Sequence, residues 1–524
     1  MPDGHSPNEW RPTHSPWLVA VSVLLATFME VLDTSIANVA LPHIAGSLSA
    51  SVDEATWVLT SYLVSNAVIL SSTGWLSSYF GRKRYLAFSV ALFIFSSALC
   101  GMAQSLPQLI IARILQGIGG GGLQPLSQAI LLESFPPSKR GEAMAAYGMG
   151  IVVAPILGPI LGGWITDNYT WRWIFYINIP IGLAGLIMQE IFVEDPPYIK
   201  AHKAETIDWQ GFGFMALGIG LLQVVLDKGQ EADWFGAPWI DWSVAVAAVS
   251  LIAWVIWELT HDEPIVNLRL LKDRNFATAT VMVAFLGAVL YGTTAMLPIF
   301  MQTLMGYPAF QAGYSMMPRG IGSFFSMLVV GRLIRFIEPR LLAVAGFAGV
   351  GASCWALSQM NLDVAQSNIT TALFFNGFSM GFIFVPLTVL SYATLKQRQI
   401  FQATGLYNLL RNIGASIGIS AIVAIQDRVA QEHQVDLAAH LTPFNAAFQK
   451  ALAGIAGMLH GAVGVHAARL SGAILYDQLL QQASLLSFMD SFRLLGLISL
   501  SCLPLLAFFT RPQHGPGRPS APMD

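Results

Sequence analysis

The chain has 524 residues, of which 54% are apolar and only 11% are Asp, Glu, Lys or Arg. A water-soluble protein carries roughly a quarter charged residues, so most of this chain is built for a solvent other than water. The formal net charge of -3 leaves no basic surplus for nucleic acid, which is excluded as a partner, and no long single-sign run marks a charged tail.

Residues 1–16 are polar and contain four prolines, which reads as a tail. The apolar run that starts at Trp17 is too long for a signal-peptide core and lacks a convincing cleavage site, so it is expected to be a permanent span. Runs of about 17 to 25 mostly apolar residues, each enough to cross roughly 30 Å of hydrocarbon, then recur along the chain, about fourteen in all. They fall at 17–39, 56–78, 85–104, 107–131, 142–166, 173–193, 209–227, 239–259, 276–302, 311–334, 340–360, 368–392, 402–426 and 488–510. Lys and Arg placement supports this reading, because cytoplasmic loops hold most of them. With the N-terminus inside, eighteen of the 27 lie in inside segments, five lie in outside loops (Arg172, Lys228, Arg428, Lys450 and Arg469), and Arg113, Arg319, Arg411 and Arg493 fall within spans. Both termini are therefore expected in the cytoplasm.

In chain order, the first charged residues inside a span are Glu30 and Asp33, spaced i, i+3 and so on one helix face. A charged carboxylate at this depth requires a partner, and its switching between wet and dry or paired and unpaired surroundings can move a proton. The alternative is a structural carboxylate satisfied by hydrogen bonds. Arg113 lies six residues from Pro107 and Asp33 eight before Leu41, so both are roughly 10 Å below the outer boundary and are expected to pair. Arg113, Gln116, Gly120 and Gln124 share a stripe expected to line a water-filled cavity; an Arg that only staples two helices is the other reading. Asn66, Gln116, Gln124, Asn376, Asn408 and Arg411 are polar candidates for a substrate cavity. In the fifth span, Pro155 and Pro159 remove backbone donors, while Gly158, Gly162 and Gly163 let another backbone approach. Asn408 and Arg411, with Gly414 and Gly418, occupy the thirteenth span, where Arg411 either neutralises an acid or snorkels. Asp490 and Arg493 are expected to satisfy each other. Cys100, Cys354 and Cys502 sit in apolar runs and read as packing residues.

The chain also repeats itself. Gly74 through Gly81, Arg82, Lys83 and Arg84 follow span two as Gly331 through Arg340 follow span ten, and Gln116-Gly117 with Pro125 in span four matches Asn376-Gly377 with Pro386 in span twelve. The offset is eight spans, as two six-helix bundles with two inserted helices would give. The domains expected are a tail at 1–16, a bundle at 17–195, a linker with two inserted spans at 196–275, a bundle at 276–510 and a tail at 511–524. The second bundle is interrupted by a long outer loop at 427–487, where Phe448 to Leu459 and Leu470 to Leu480 read as amphipathic helices resting on the membrane. No zinc-protease, P-loop or nucleophile-elbow motif is present, so no enzyme is expected.

Leu32-Asp33-Thr34 through Asn38-Val39-Ala40-Leu41-Pro42, Arg113-Ile114-Leu115-Gln116-Gly117, and Ala154-Pro155 through Gly162-Gly163 together resemble the major facilitator superfamily, specifically its fourteen-span drug:proton antiporters of the EmrB/QacA type. Leu226 through Gln230 with Asp233-Trp234-Phe235, and Asn408 through Arg411, are similar to the EmrB branch. The resemblance implies the all-α major facilitator fold in the cell inner membrane and export of hydrophobic or amphipathic drug-like compounds by alternating access. The proton gradient would drive it without a cofactor or metal. Asp33 lies in the matched motif and is the first candidate for proton coupling, with Arg113 as its partner by depth; Glu30, outside the motif, is the second. The resemblance further implies an antiporter bend at Pro155, Gly158, Pro159, Gly162 and Gly163. A periplasmic adaptor and an outer-membrane channel would be partners, with 427–487 as the docking surface. Ser78 stands where the family's loop motif, here Gly74, Gly81, Arg82 and Lys83, usually has Asp, so that motif's charge clamp does not carry over. Export of one metabolite, siderophore or lipid is the alternative within transport, and a non-transporting scaffold or sensor the alternative outside it.

Overall fold

A computed structural model of the chain describes residues 12–136, 139–195, 208–261, 264–463 and 466–510. Residues 1–11 and 511–524 of the expected tails, and Lys200 and Lys203 of the linker, lie outside them. The regular elements among the described residues are helices, the longer ones in the order α1 (Pro16–Ser47), α2 (Trp57–Phe80), α3 (Arg82–Met102), α4 (Leu106–Gly120), α5 (Leu123–Ser134), α6 (Arg140–Asn168) and α7 (Asn178–Phe192). Then follow α8 (Trp209–Lys228), α9 (Pro238–Thr260), α10 (Arg274–Ile299), α11 (Ala309–Leu333), α12 (Pro339–Leu357), α13 (Gln366–Tyr392), α14 (Gln397–Ala438), α15 (Ala446–Val463) and α16 (Ala467–Leu505).

Eleven helices among the described residues are long and apolar enough to cross a membrane. The expected spans at 56–78, 107–131 and 311–334 are helical but fall outside that set. Ser61, Ser65, Ser71, Ser72, Thr73, Ser77 and Ser78 dilute the apolar character of α2 and Arg319 that of α11, while the break at Gly121 and Gly122 leaves α4 and α5 with 15 and 12 residues, each too short to cross alone.

Packing repeats with the spacing of the sequence. In the first set α1 lies on α6 and α2 on α4; in the second α10 lies on α14 and α11 on α13. Small residues bring these backbones together. A Cβ on Gly119 would stand 2.7 Å from the Phe93 backbone nitrogen, and one on Gly121 2.6 Å from the Asn66 carbonyl oxygen. Gly414 and Gly418 face the Ala284 and Ala288 backbones in the same way. Where interhelix contact is made by packing, such close approach supplies the dispersion energy that lipid exclusion cannot.

The two sets meet at the end that carries the basic loops. Gly141 abuts Ile334, Gly331 abuts Ala145, Glu142 pairs with Arg335, and Gly74 of α2 lies against Gln402 of α14. About two turns further into α6, Tyr147 stacks with Phe384 of α13, ring centres 6.3 Å apart. Helix α8 bridges the sets from the side: it packs on α2 and accepts at Gln223 and the Leu226 carbonyl from Ser416 and Ser420 of α14, at 2.9 and 2.7 Å.

The outer segment differs from expectation. Helix α14 has 42 residues and α16 has 39, about 60 Å each at 1.5 Å per residue and twice the hydrocarbon thickness. They run on past the expected span ends at 426 and 488 and stay paired, with His433 2.9 Å from Asp490 and Gln434 donating to Tyr476 at 2.9 Å. The expected Leu470 to Leu480 helix is therefore the start of α16 rather than a separate helix on the membrane surface. Only Phe448 to Leu459 belongs to a helix of its own, α15, which packs on α16.

Candidate functional site

Asp33 and Glu30 both lie on the buried face of α1, as their spacing requires, but their surroundings differ. Arg113 Nη1 donates to Asp33 Oδ2 at 2.6 Å, while Gln116 Nε2 and Asn178 Nδ2 donate to Oδ1 at 2.9 and 2.6 Å. Arg113 also donates to the Val58 carbonyl at 3.0 Å and to Gln116 Oε1 at 2.8 Å, and its guanidinium lies 4.3 Å from the centre of the Tyr62 ring. Asn178 is fixed in turn by Ser97 at 3.0 Å. Asp33 is 2% exposed and Arg113 0%, so this is a closed ion pair with both carboxylate oxygens occupied. The stripe through Arg113, Gln116, Gly120 and Gln124 is buried rather than water-lined here. It is also not one continuous helix, because the chain breaks at Gly121 and Gly122.

Glu30 is buried too, yet one oxygen stands alone. Its Oε1 accepts from Asn66 at 3.1 Å and from Gln124 at 3.2 Å, and its Oε2 has no hydrogen-bond partner. The other face of Gln124 accepts from Arg411 of α14, and four residues on Gln128 accepts from Asn408 at 2.6 Å. A carboxyl of the first helix is thus joined through one amide to a guanidinium of the opposite set. Arg411 is buried about 20 Å inside the start of α14, which excludes snorkelling. Asn376 is elsewhere: it donates to Ser353 at 2.8 Å within the second set.

Pro159 has no N–H for the carbonyl of Pro155, four residues earlier in α6, and Ser35 of α1 donates to that carbonyl at 3.1 Å. Gly158 beside it faces the Ser35 side chain too closely for any Cβ, and a Cβ on Gly162 would stand 3.3 Å from the Ile36 carbonyl oxygen. Gly163, expected to permit a close approach, has open space beside it.

The sequence model of the Major Facilitator Superfamily matches residues 23–419, more than half of the chain and all of the site. The chain belongs to the Major Facilitator Superfamily. It is 36% identical over 503 residues to the fatty acid resistance protein FarB of Neisseria gonorrhoeae, covering 95% of this chain and 97% of that one. It is 35% identical over 506 residues to the multidrug export protein EmrB of Escherichia coli K12, covering 95% and 96%. The crystal structure of the human organic anion transporter MFSD10 superposes with a TM-score of 0.60 over 93% of this chain and all of that one; at 13% identity this likeness concerns the fold alone.

As a member of this superfamily of transporters, the chain departs from the usual loop motif at Ser78, whose hydroxyl only returns to the Gly74 carbonyl of its own helix at 2.9 Å. Other residues tie the loop. Gly81 turns the chain at φ +85°, a conformation that glycine adopts without strain. Asp195 accepts from the Lys83 amide at 2.9 Å, Lys83 reaches Glu190, and Arg82 pairs with buried Glu133 while lying 4.5 Å from the Phe401 ring centre in the second set. Sequence reasoning singled out neither Glu133, Asn178 nor Gln128. The available signal was a polar residue inside an apolar run, such as Asn178 between Ile177 and Ile179.

Proposed function

We propose that this protein is a proton-coupled exporter of amphipathic drug-like compounds in the cell inner membrane, with fourteen spans arranged as six, two and six and both termini in the cytoplasm. The names of EmrB and FarB support the substrate reading, and the offset-eight packing and the loop charges support the layout. The three more polar helices α2, α4 with α5, and α11 complete the count. The basic-loop end is then cytoplasmic, and the halves are interlocked there, so this conformation faces outward.

The observation that carries the mechanism is the link from Glu30 through Gln124 to Arg411. Protonating Asp33 would break its ion pair with Arg113, and breaking a buried pair is strongly destabilising. Protonating Glu30 breaks no ion pair and removes the charge from a buried carboxyl that has no cation bonded to it directly. Glu30 is therefore the carrier in this state, and the Asp33–Arg113 pair holds α1 against α4. Gaining or losing a charge at Glu30 changes the pull on Gln124 and Arg411, which biases how the halves rest on each other. Energy comes from the proton gradient rather than from a bound cofactor. The paired extensions of α14 and α16 with α15 offer a projecting surface for a periplasmic adaptor leading to an outer-membrane channel.

Proteoliposomes loaded with a pH-sensitive dye and given a pH gradient test this reading. Adding an amphipathic dye substrate should discharge the gradient at a rate that rises with dye concentration. A gradient indifferent to every substrate tried would contradict proton-coupled export.

A further inference from the structure

Among the eleven apolar helices, α9 is the least buried. It packs on α8 and on the short turns at its own two ends, while α8 in turn packs on α2. The pair touches closely at two places: Gly211 faces the Trp257 ring, and a Cβ on Gly218 would stand 2.9 Å from the Leu251 side chain. Along the stretch between these contacts, α8 and α9 leave a groove of about 770 Å³ lined by Trp209, Gly213, Phe214, Leu217, Ile256 and Trp257. Its floor is open at Gly213, where nothing lies within 4 Å of the place a Cβ would take. Trp209 is 69% exposed and Ile256 59%, so on a membrane-spanning pair this wall meets acyl chains. From Trp209 to Leu217 the groove runs about 12 Å at 1.5 Å per residue, close to one leaflet's half of a roughly 30 Å core.

The groove is apolar along its length and basic at one rim. Thr260, the last residue of α9, lines that end. Beside it, Arg269 Nη2 donates to the carbonyls of Leu259 and His261 at 3.2 and 2.9 Å, which anchors an exposed guanidinium at the mouth. Among the described residues its Nε and Nη1 have no protein acceptor. The nearby carboxyls are engaged elsewhere: Asp208 accepts from the Gly211 amide at 2.8 Å and from Trp257 at 2.9 Å, and Glu258 accepts from Trp254 at 2.9 Å and from the Val266 amide at 3.3 Å. The rim lies at the basic-loop end, since Asn267 donates to Gln402 of α14 at 3.2 Å. A fixed guanidinium at the mouth of an apolar slot open to lipid suits a phosphate outside and a hydrocarbon chain within.

We propose that this groove binds one anionic glycerophospholipid from the leaflet at the basic-loop end, with an acyl chain along Gly213 and the phosphate on Arg269. An anionic headgroup is favoured because its phosphate is not already neutralised by a cation of its own. The bound chain covers apolar wall that the protein leaves open and braces α9 against α8. The inference needs only that α8 and α9 cross the membrane, and it holds whatever the protein exports.

Titration of the delipidated full-length protein with dioleoylphosphatidylglycerol or dioleoylphosphatidylcholine, read by native mass spectrometry, tests it. Wild type should take up its first phosphatidylglycerol about tenfold or more tighter than later ones, and tighter than a first phosphatidylcholine by the same factor, which one charge-assisted hydrogen bond supplies. Gly213→Phe, which fills the floor of the groove, should bring the first step level with the later ones. Arg269→Gln should remove the preference for phosphatidylglycerol over phosphatidylcholine. Val249→Phe, on the exposed face of α9 outside the groove, should change neither. Glycerol 3-phosphate, which carries the anion without a chain, should not compete. Binding steps that are all alike in wild type, or a first step unaltered by Gly213→Phe, would mean ordinary surface lipid and overturn the proposal. Competition by glycerol 3-phosphate would overturn it too, by placing the anion alone at Arg269.

Discussion

Removing the Arg113 side chain, as in Arg113→Met, is the perturbation whose consequence the structure fixes most tightly. Asp33 would keep its donors Gln116 and Asn178, at 2.9 and 2.6 Å, but lose the only cation within ion-pair distance of it among the described residues. Breaking a buried pair from one side costs about 3–5 kcal/mol, because the remaining charge is stranded. The Val58 carbonyl and Gln116 each lose a donor as well, adding about 1 kcal/mol apiece. Replacing both partners, Asp33→Asn with Arg113→Met, strands no charge and should recover most of the loss. Reversible unfolding in mixed micelles, followed by circular dichroism, gives the four corners of a double-mutant cycle. The account expects a coupling of about 2–4 kcal/mol between the two sites. Single losses that add within about 0.5 kcal/mol would refute it, since residues that do not interact behave that way.

Three further outcomes follow from other parts of the fold. Gly81→Ala should lower stability by about 1 kcal/mol or more in the same unfolding assay, because φ +85° strains any residue with a Cβ and Asp195 would stand 3.0 Å from it. Arg82→Ala should open the basic-loop end far more than Arg335→Ala, read as thiol labelling of Gln402→Cys. The first strands buried Glu133, whereas the second removes a half-exposed pair worth about 0.2–1 kcal/mol. Gly158→Leu should push α6 off α1 and raise passive proton leak in proteoliposomes, while Gly163→Ala should leave leak unchanged because nothing lies beside it.

Much of this architecture is legible in the amino-acid sequence. Depth arithmetic places Asp33 beside Arg113 because helices of known rise cross a slab of known thickness. The repeat is legible because duplicated packing keeps small residues at matching places, as at Gly117 and Gly377. The different surroundings of the two carboxyls are not. Asn178, which helps occupy the second oxygen of Asp33, lies 145 residues away, and no periodicity joins them. The long reach of α14 and α16 is hidden because hydropathy reports where lipid ends, not where a helix ends. Polar residues after 426, such as Asp427 and Arg428, continue the same helix. The break at Gly121 and Gly122 interrupts a stripe that ideal geometry would carry straight through.

The central claim is that Glu30 exchanges the coupling proton, and substrate-dependent proton flux in proteoliposomes, compared between wild type and Glu30→Gln, tests it most directly. The account predicts that Glu30→Gln keeps the fold and still binds substrate but moves no protons when substrate is added. Undiminished substrate-dependent flux in Glu30→Gln would contradict it.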